Sequence, residues 1–439
     1  MAVVATAISR FLTDLNLTHS NKLWVAYSGG LDSHVLLHSI VSSASVEQRR
    51  YIRAIHINHQ LQKQANEWVD HCKASCSLLD IPLTVVLVDA NSKPGESPED
   101  AARKARYLAI QEQMNSADIL VTGHHLADQS ETLILQLMRG SGVDGLAAMP
   151  KVRALADIEL HRPLLDVPQA KLLEYAKQNE LSWVEDPSNE MRDIRRNYVR
   201  HEILPIIEKT WPNAQNSIAT SAKHLADSKK LITSFLEAAL QEVMVAPDCL
   251  DLQKLLNRPI IQQRHIIRYW YESLQLTRPN HIQLNVIFEE LIHARTDATP
   301  VTKLNATQLI RTAKYLILLP DWPEQVNSIS LTSTAVDTDI ISLTISDQDG
   351  TVPENLELRF GNYQSKVVVN GNTKALKKLF KEKAITANLR TSWPQIYRND
   401  ELLIVPYVYC ALKAKDWDCD FDYKRLIKSD QSLTKIISG

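Results

Sequence analysis

The sequence predicts an α/β chain, with a helix-covered, Rossmann-like parallel sheet at the N-terminus, a mainly helical middle domain and a small α+β domain at the C-terminus. Three observations predict it. Short runs rich in Val, Ile and Leu alternate with amphipathic stretches between residues 23 and 140; helical periodicity replaces them from about Gln169 to Arg295; strand patterns return beyond residue 350. At roughly 100 to 200 residues per domain, 439 residues accommodate three such units. The expected boundaries are 1–215, 216–320 and 350–439.

Taken in order, "MAVVATAISRFLTDLNL" reads as a short helix, since Ser9, Arg10 and Asp14 interrupt any signal-peptide core. Strands are expected at 23–27, 51–58, 83–89 and 118–124. A helix over 97–116 has Ser97 as its N-cap, Pro98 in its first turn and Asp100 three residues after the cap. Near-continuous apolar strands separated by helices imply a parallel sheet buried on both faces, with ligands at the carboxyl ends of its strands. In the middle domain, residues 216–244 form a long Gly-free periodic stretch. The polar interval 322–350 reads as a linker or a poorly ordered edge, and strands near 356–370 and 401–409 flank a basic helix.

Composition narrows the class. With 44% hydrophobic and 23% charged residues the chain resembles an average soluble protein, and no run approaches the roughly 18 apolar residues of a membrane span. A cytoplasmic protein is expected, with no membrane and no obligatory protein partner. Five cysteines, of which only Cys72 and Cys76 are close in sequence, make no disulfide framework and no CxxC motif. The net charge of −2 means that a polyanion must be met by local basic patches.

The stretch "VAYSGGLDSHVLLH" (25–38) carries the chemistry. A strand that ends in Ser28-Gly29-Gly30 and enters a helix at Leu31 aims free backbone N–H groups and the helix dipole at one spot, where an anion is stabilised. Adjacent glycines admit a phosphate with no Cβ in the way, and Ser28 and Ser33 add hydroxyls. Asp32 would repel that anion unless Mg²⁺ lay between them. A tight turn with Asp32 matched to the helix dipole is the alternative.

The spacing is not that of a Walker A loop. It resembles the PP-loop, SGGxDS, of the N-type ATP pyrophosphatases, complete here as Ser28, Gly29, Gly30, Leu31, Asp32 and Ser33. Three further stretches, "HINHQLQ" (56–62), "AARKARY" (101–107) and "TGHHLADQSETLILQLMRGSGVDGLAAM" (122–149), are similar to the tRNA(Ile)-lysidine synthetase family within that superfamily. So are "WVEDPSNEMRDIRRNYVRHEILP" (183–205) and, near the C-terminus, "KALKKLFKEKAI" and "LRTSWPQIYRNDELLIVP". The resemblance implies an adenine nucleotide alpha hydrolase-like catalytic domain and a two-step ligation using ATP and Mg²⁺. The C2 oxygen of the wobble cytidine in the CAU anticodon of tRNA(Ile) attacks the α-phosphate; free L-lysine then displaces AMP, changing codon specificity from AUG to AUA. Activating the base as an adenylate splits one high barrier into two lower ones.

Under that resemblance, Ser28–Ser33 bind ATP, with Asp32 contacting Mg²⁺, and Asp32, His124, Asp128 and Arg106 are the catalytic candidates. Which of His124 and Asp128 acts as base, and which meets lysine or the metal, is open. Asp128 as N-cap with Glu131 three residues on could instead be a capping box. Arg103 and Arg106, one helical turn apart, can reach a common phosphate. For tRNA, Arg192, Arg195, Arg196 and Arg200 form a stripe if helical, and Lys374, Lys377, Lys378 and Lys381 share a face opposite Leu376, Leu379 and Phe380. Either patch could be only a solvated face. The rivals are a tRNA thiolase of the same superfamily, which needs reactive cysteines or an iron-sulfur cluster, and a non-catalytic nucleotide-gated tRNA-binding protein.

Overall fold

The computed structural model describes residues 2–423 apart from 16, 19, 60–64, 89–97, 296–299, 306, 322–327, 339, 362–364, 370, 384, 386 and 391. They form two compact units, Met1–Leu231 and Ile232–Gly439, and the helix Ala214–Val243 runs across the division.

The first unit is built on six strands: β1 (Leu23–Ala26), β2 (Ile52–Asn58), β3 (Leu83–Leu87), β4 (Ile119–Val121), β5 (Val152–Leu155) and β6 (Ile158–His161). Their order is β3-β2-β1-β4-β6-β5, all parallel except β5, which turns back on β6. The four strands expected from sequence are present; the β5/β6 hairpin was not anticipated, because "VRALADIELH" carries too many polar residues for a buried parallel strand. Leu23, Val25, Ile52 and Ala54 are fully buried among the helices Ala2–Thr13 and Leu31–Ser43. Trp24, Ile55, Leu120 and Ile110 fill the opposite face. The chain goes outward from β1 to β3 and then returns to β4 on the other side of β1. That reversal opens a crevice at the carboxyl ends of β1 and β4. The helix Pro98–Gln113 starts at the expected proline, while Ser97 lies outside the described residues.

In the second unit the expected helices are present, Ile260–Ser273 and the end of Ala214–Val243 among them. They pack on a five-stranded sheet that was not anticipated, made of β7 (Met244–Ala246), β8 (Cys249–Asp251), β9 (Val301–Leu304), β10 (Thr307–Arg311) and β11 (Tyr315–Pro320). The interval read as a linker is in large part sheet: Ile341–Ser346 pairs with Ala335–Asp337 and Asp418–Tyr423. There Ile341, Leu343 and Ile345 are buried while Ser342 and Thr344 are exposed, so the polar composition is one face of an alternating strand. Residues 322–327 lie outside the description. A core around Trp393, Phe380, Phe421 and Tyr423 supports the helix Leu376–Glu382.

Candidate active site

β1 delivers Ser28 to the crevice, and the turn that follows is made by its glycines. Gly29 has φ +86°, and a Cβ there would lie 3.0 Å from Cys72 Sγ. Gly30 is the N-cap of the helix Leu31–Ser43, with no side-chain cap hydrogen bond on the free amides. The serines are partly committed to the turn itself. Ser33 Oγ donates to the Gly30 carbonyl at 3.0 Å and lies 3.1 Å from Ser28 Oγ, so it serves as the brace of the loop as much as a ligand donor.

Gly123, just past β4, is the glycine that sequence reading passed over. A Cβ on it would meet the Asp32 carbonyl oxygen at 2.8 Å and the Ser33 nitrogen at 3.2 Å. Both obstacles are backbone, with no flexible side chain to give way. Gly123→Ala is therefore expected to push the end of β4 away from the first turn of the helix Leu31–Ser43, weakening ATP binding roughly tenfold or more and lowering thermal stability by about 1–3 kcal/mol; titration calorimetry and thermal melts read both.

A cavity of about 260 Å³ lies over this turn, lined by Tyr27, Ser28, Asp32 and Ser33 on one side, Arg103, Arg106 and Tyr107 on another, and Gly123, His124 and Asp128. Ile55, Ile57 and Ile110 give it an apolar wall. The sequence-predicted loop, the two arginines and the catalytic candidates thus meet in one space. Arg106 also reaches His59 Nε2 at 3.4 Å. Burial and the neighbouring Arg106 lower the His59 pKa to about 4, so the ring is neutral beside the guanidinium.

The acid-histidine cluster is arranged differently from expectation. His125 is the N-cap of the helix Leu126–Met138: its Nδ1 accepts from the Ala127 N–H, while the Asp128 carboxylate accepts from the His125 N–H at 2.9 Å. Asp128 is thus the third residue of the box, not its cap. Glu131 takes no part in capping; fully buried, it binds Arg196 Nε at 2.7 Å and Arg200 Nε at 2.6 Å. Asp128 adds contacts to Arg196 at 2.9 Å and Arg200 at 3.4 Å.

The four-arginine phosphate stripe does not form. Arg196 and Arg200 turn inward to neutralise two buried carboxylates, because an unpaired buried charge is far costlier than a lost surface contact. A π-turn at Val199–Ile203, where Pro205 interrupts the regular ladder, continues this helix toward Thr210. Arg192 is exposed and paired with Glu202 at 3.1 Å, and Arg195 is exposed. In the C-terminal helix, Lys377, Lys378 and Lys381 are exposed above buried Leu376, Leu379 and Phe380, as expected. Lys374 is on the preceding strand and lies 3.4 Å from Glu382, so it departs from the shared helical face.

His125 Nε2 points between Asp32 Oδ2 and Asp128 Oδ2, 3.5 Å from each. Burial lowers its pKa, but Asp32, Asp128 and Glu131 outweigh burial and raise it. Asp128 is pushed up by burial, yet His125, Arg196 and His124 prevail and hold it at about 2. For His124 burial dominates, with Arg162, Arg196 and Arg103 adding to it against Asp128, and the pKa falls to about 3. His124 is neutral at pH 7 and bound to Thr122 Oγ1 at 2.7 Å. As for a metal, Asp32 Oδ1 is a buried oxygen with no hydrogen-bond partner among the described residues. Mg²⁺ commonly takes one or two carboxylates with phosphate oxygens and water completing its shell, and this orphaned oxygen beside the phosphate cradle fits that habit. The cysteines do not suit a thiolase: Cys72 and Cys76 are buried, and burial pushes both thiols up to about 12, far from the reactive thiolate.

Comparisons with known proteins bear on the same regions. The chain matches the PP-loop domain family over residues 2–207, the TilS substrate binding domain over 250–317 and the TilS substrate C-terminal domain over 356–421. It is 35% identical over 426 residues to the tRNA(Ile)-lysidine synthase of Coxiella burnetii, covering 93% of this chain and 94% of that one. With the tRNA(Ile)-lysidine synthase of Pseudomonas syringae pv. tomato it shares 37% identity over 396 residues, 87% of each chain.

Proposed function

Since the chain belongs to the tRNA(Ile)-lysidine synthase family, we propose that it is a carbon-nitrogen ligase joining free L-lysine to C2 of the wobble cytidine of tRNA(Ile) at the expense of ATP, in the bacterial cytoplasm. Among the described residues no helix is long and apolar enough to cross a membrane. The observation that carries the reading is that a single cavity is lined by Ser28 and Ser33 from the two ends of the glycine turn, Asp32 with its orphaned oxygen, Arg103, Arg106, His124 and Asp128. We read the three matched stretches as three domains, the catalytic one first.

In the first step the triphosphate lies against the amides of Gly29–Asp32, with the adenine over Ile55, Ile57 and Ile110. Mg²⁺ bound at Asp32 would supply charge neutralisation for the departing pyrophosphate. Arg103 and Arg106 hold phosphate oxygens and favour the charge that develops as the cytidine oxygen attacks the α-phosphorus. In the second step the lysine amine attacks C2 and AMP leaves. Free lysine has an amine pKa near 10.4, and neither His124 at about 3 nor Asp128 at about 2 is a strong base toward it. Their roles are therefore positional: Asp128 presents a carboxylate to the non-reacting α-ammonium group of lysine, and His124 is a neutral hydrogen-bonding group. The surrounding guanidinium groups disfavour the ε-ammonium, which gives its proton to solvent water; the neutral amine then forms the C2–N bond as the C2–O bond to AMP breaks, and the proton shed by the new nitrogen passes to the departing AMP phosphate or to water.

The test is pyrophosphate release that requires tRNA, followed by incorporation of labelled lysine into the tRNA. Labelled sulfur in the product would support the thiolase, and ATP binding without pyrophosphate release the non-catalytic protein. For the tRNA, the exposed lysines of Leu376–Glu382 and Arg195 are the proposed phosphate contacts. Lys377, Lys378 and Lys381 changed together to Ala are expected to weaken tRNA binding and flatten the slope of log affinity against log salt by about one per lost contact, with ATP affinity unchanged. Filter binding at several salt concentrations reads this, and an unchanged slope removes the helix from the tRNA surface.

A further inference from the structure

The cavity has a charge behind its wall for which the mechanism above has no use. Arg162 follows β6 directly and is 2% exposed; its own N–H donates to the Lys151 carbonyl at 2.8 Å, and beside it Thr122 N donates to the His161 carbonyl at 3.1 Å. Its Nη1 donates to the Pro150 carbonyl at 2.7 Å. Its Nε has no partner among the described residues, and no ion pair with a carboxylate is found there. Arg196 and Arg200 of the same unit differ, since each faces two carboxylates.

The groups close enough to feel the Arg162 charge, or to be felt by it, are Tyr107, Arg103, His124 and Arg153. Three of them line the cavity, and none is a carboxylate. Burial, with Arg103 and Arg153 adding to it, outweighs the opposing Tyr107 hydroxyl and lowers the Arg162 pKa to about 10, which still leaves it cationic at neutral pH. A desolvated cation without an anion is unfavourable in the empty protein, by more than a single carbonyl hydrogen bond returns. Such an arrangement persists where a bound anion completes it.

We propose that Arg162 is an electrostatic positioning residue whose counter-charge is the phosphate chain of ATP in the adjoining cavity, drawn toward the β4/β6 side by a cation buried behind Thr122–His124. This rests on the nucleotide reading of the cavity. The field of a buried, fixed guanidinium is weakly screened, so it acts on the phosphates without touching them and needs no rearrangement when they arrive.

Three full-length proteins test this: the parent, Arg162→Met, which keeps the apolar stem, and Arg162→Lys, which keeps a charge. The probes are ATP and adenosine, measured by calorimetry, with thermal melts of the ligand-free proteins. In Arg162→Met, ATP affinity is expected to fall roughly tenfold or more while adenosine affinity stays the same, Arg162→Lys recovers part of the loss, and the ligand-free melting temperature is equal to or above the parent's. Equal loss for ATP and adenosine, or a ligand-free melt several degrees below the parent, would make Arg162 a structural staple and overturn the proposal. So would unchanged ATP affinity with a raised KM for lysine, which would assign the charge to the lysine carboxylate. A parent that fails to bind ATP at all refutes the nucleotide reading itself, a distinct outcome.

Discussion

Asp32→Asn is expected to cut tRNA-dependent pyrophosphate release by roughly 100-fold or more, equivalent to about 2.7 kcal/mol of transition-state stabilisation, while leaving the melting temperature nearly unchanged. The two halves of that expectation come from different observations. Asp32 is 37% exposed at its side chain, and its contact to His125 is long, at 3.5 Å, so little folding energy depends on it. Its Oδ1, by contrast, is buried without a hydrogen-bond partner at the mouth of a helix whose first amides are free. A neutral amide there keeps the shape and removes the negative charge that would draw a divalent ion to the phosphates. The rate is measured as labelled pyrophosphate released from ATP, with tRNA saturating. If the Asn protein formed lysidine at the parent rate, the metal role of Asp32 would be lost and the loop would be left only as an anion cradle.

The two kinds of site residue differ in how readable they are. Ser28–Ser33 is local: six consecutive residues set strand end, turn and helix start, so their chemistry follows from order alone. Arg103 and Arg106 reach the cavity for a similar reason, since a single helix with a readable start carries both. Arg196 and Arg200 illustrate the opposite case. Their spacing suggests a solvated stripe, and only the packing of their helix on Leu126–Met138 reveals that Asp128 and Glu131 claim them. A buried acid elsewhere in the chain is invisible to periodicity. His125 was passed over in favour of its neighbour because two adjacent histidines look alike in sequence, whereas one becomes a cap between two carboxylates and the other turns to Thr122. In the fold, the strand Ile341–Ser346 was missed on composition although its alternation was present, because a polar outward face hides a strand, and Thr307–Arg311 was missed because it is buried nearly throughout, without alternation.

Glu131→Gln is expected to be strongly destabilising, by about 3 kcal/mol and with a fall in melting temperature on the order of 10 °C. The carboxylate is fully buried and carries both guanidinium Nε contacts, at 2.7 and 2.6 Å. Gln keeps the volume but leaves Arg196 and Arg200 sharing Asp128 alone. Because the arginine side chains retain 23% and 29% exposure, water recovers part of the loss, which keeps the figure at the lower end for a broken buried pair. Activity should fall with stability, since the same cluster sets Asp128 and, through the cap, His125. Replacing Glu131 and Arg200 together by Leu removes a charge of each sign and should restore much of the melting temperature without restoring lysidine formation; calorimetric melts and the labelled-lysine assay separate the two effects. The pH dependence follows from the same cluster. Asp128 has a folded pKa of about 2 against an ordinary value of 3.8, so its pairing contributes about 2 kcal/mol that is complete above roughly pH 4 and is lost as the pH falls toward 2. Asp128→Asn should therefore shift the acid unfolding limb: the parent loses stability steeply over that window and the variant does so less. An identical acid limb in both proteins would mean that Asp128 is not held by His125 and Arg196, and the cluster would then have to be redrawn around Glu131 alone.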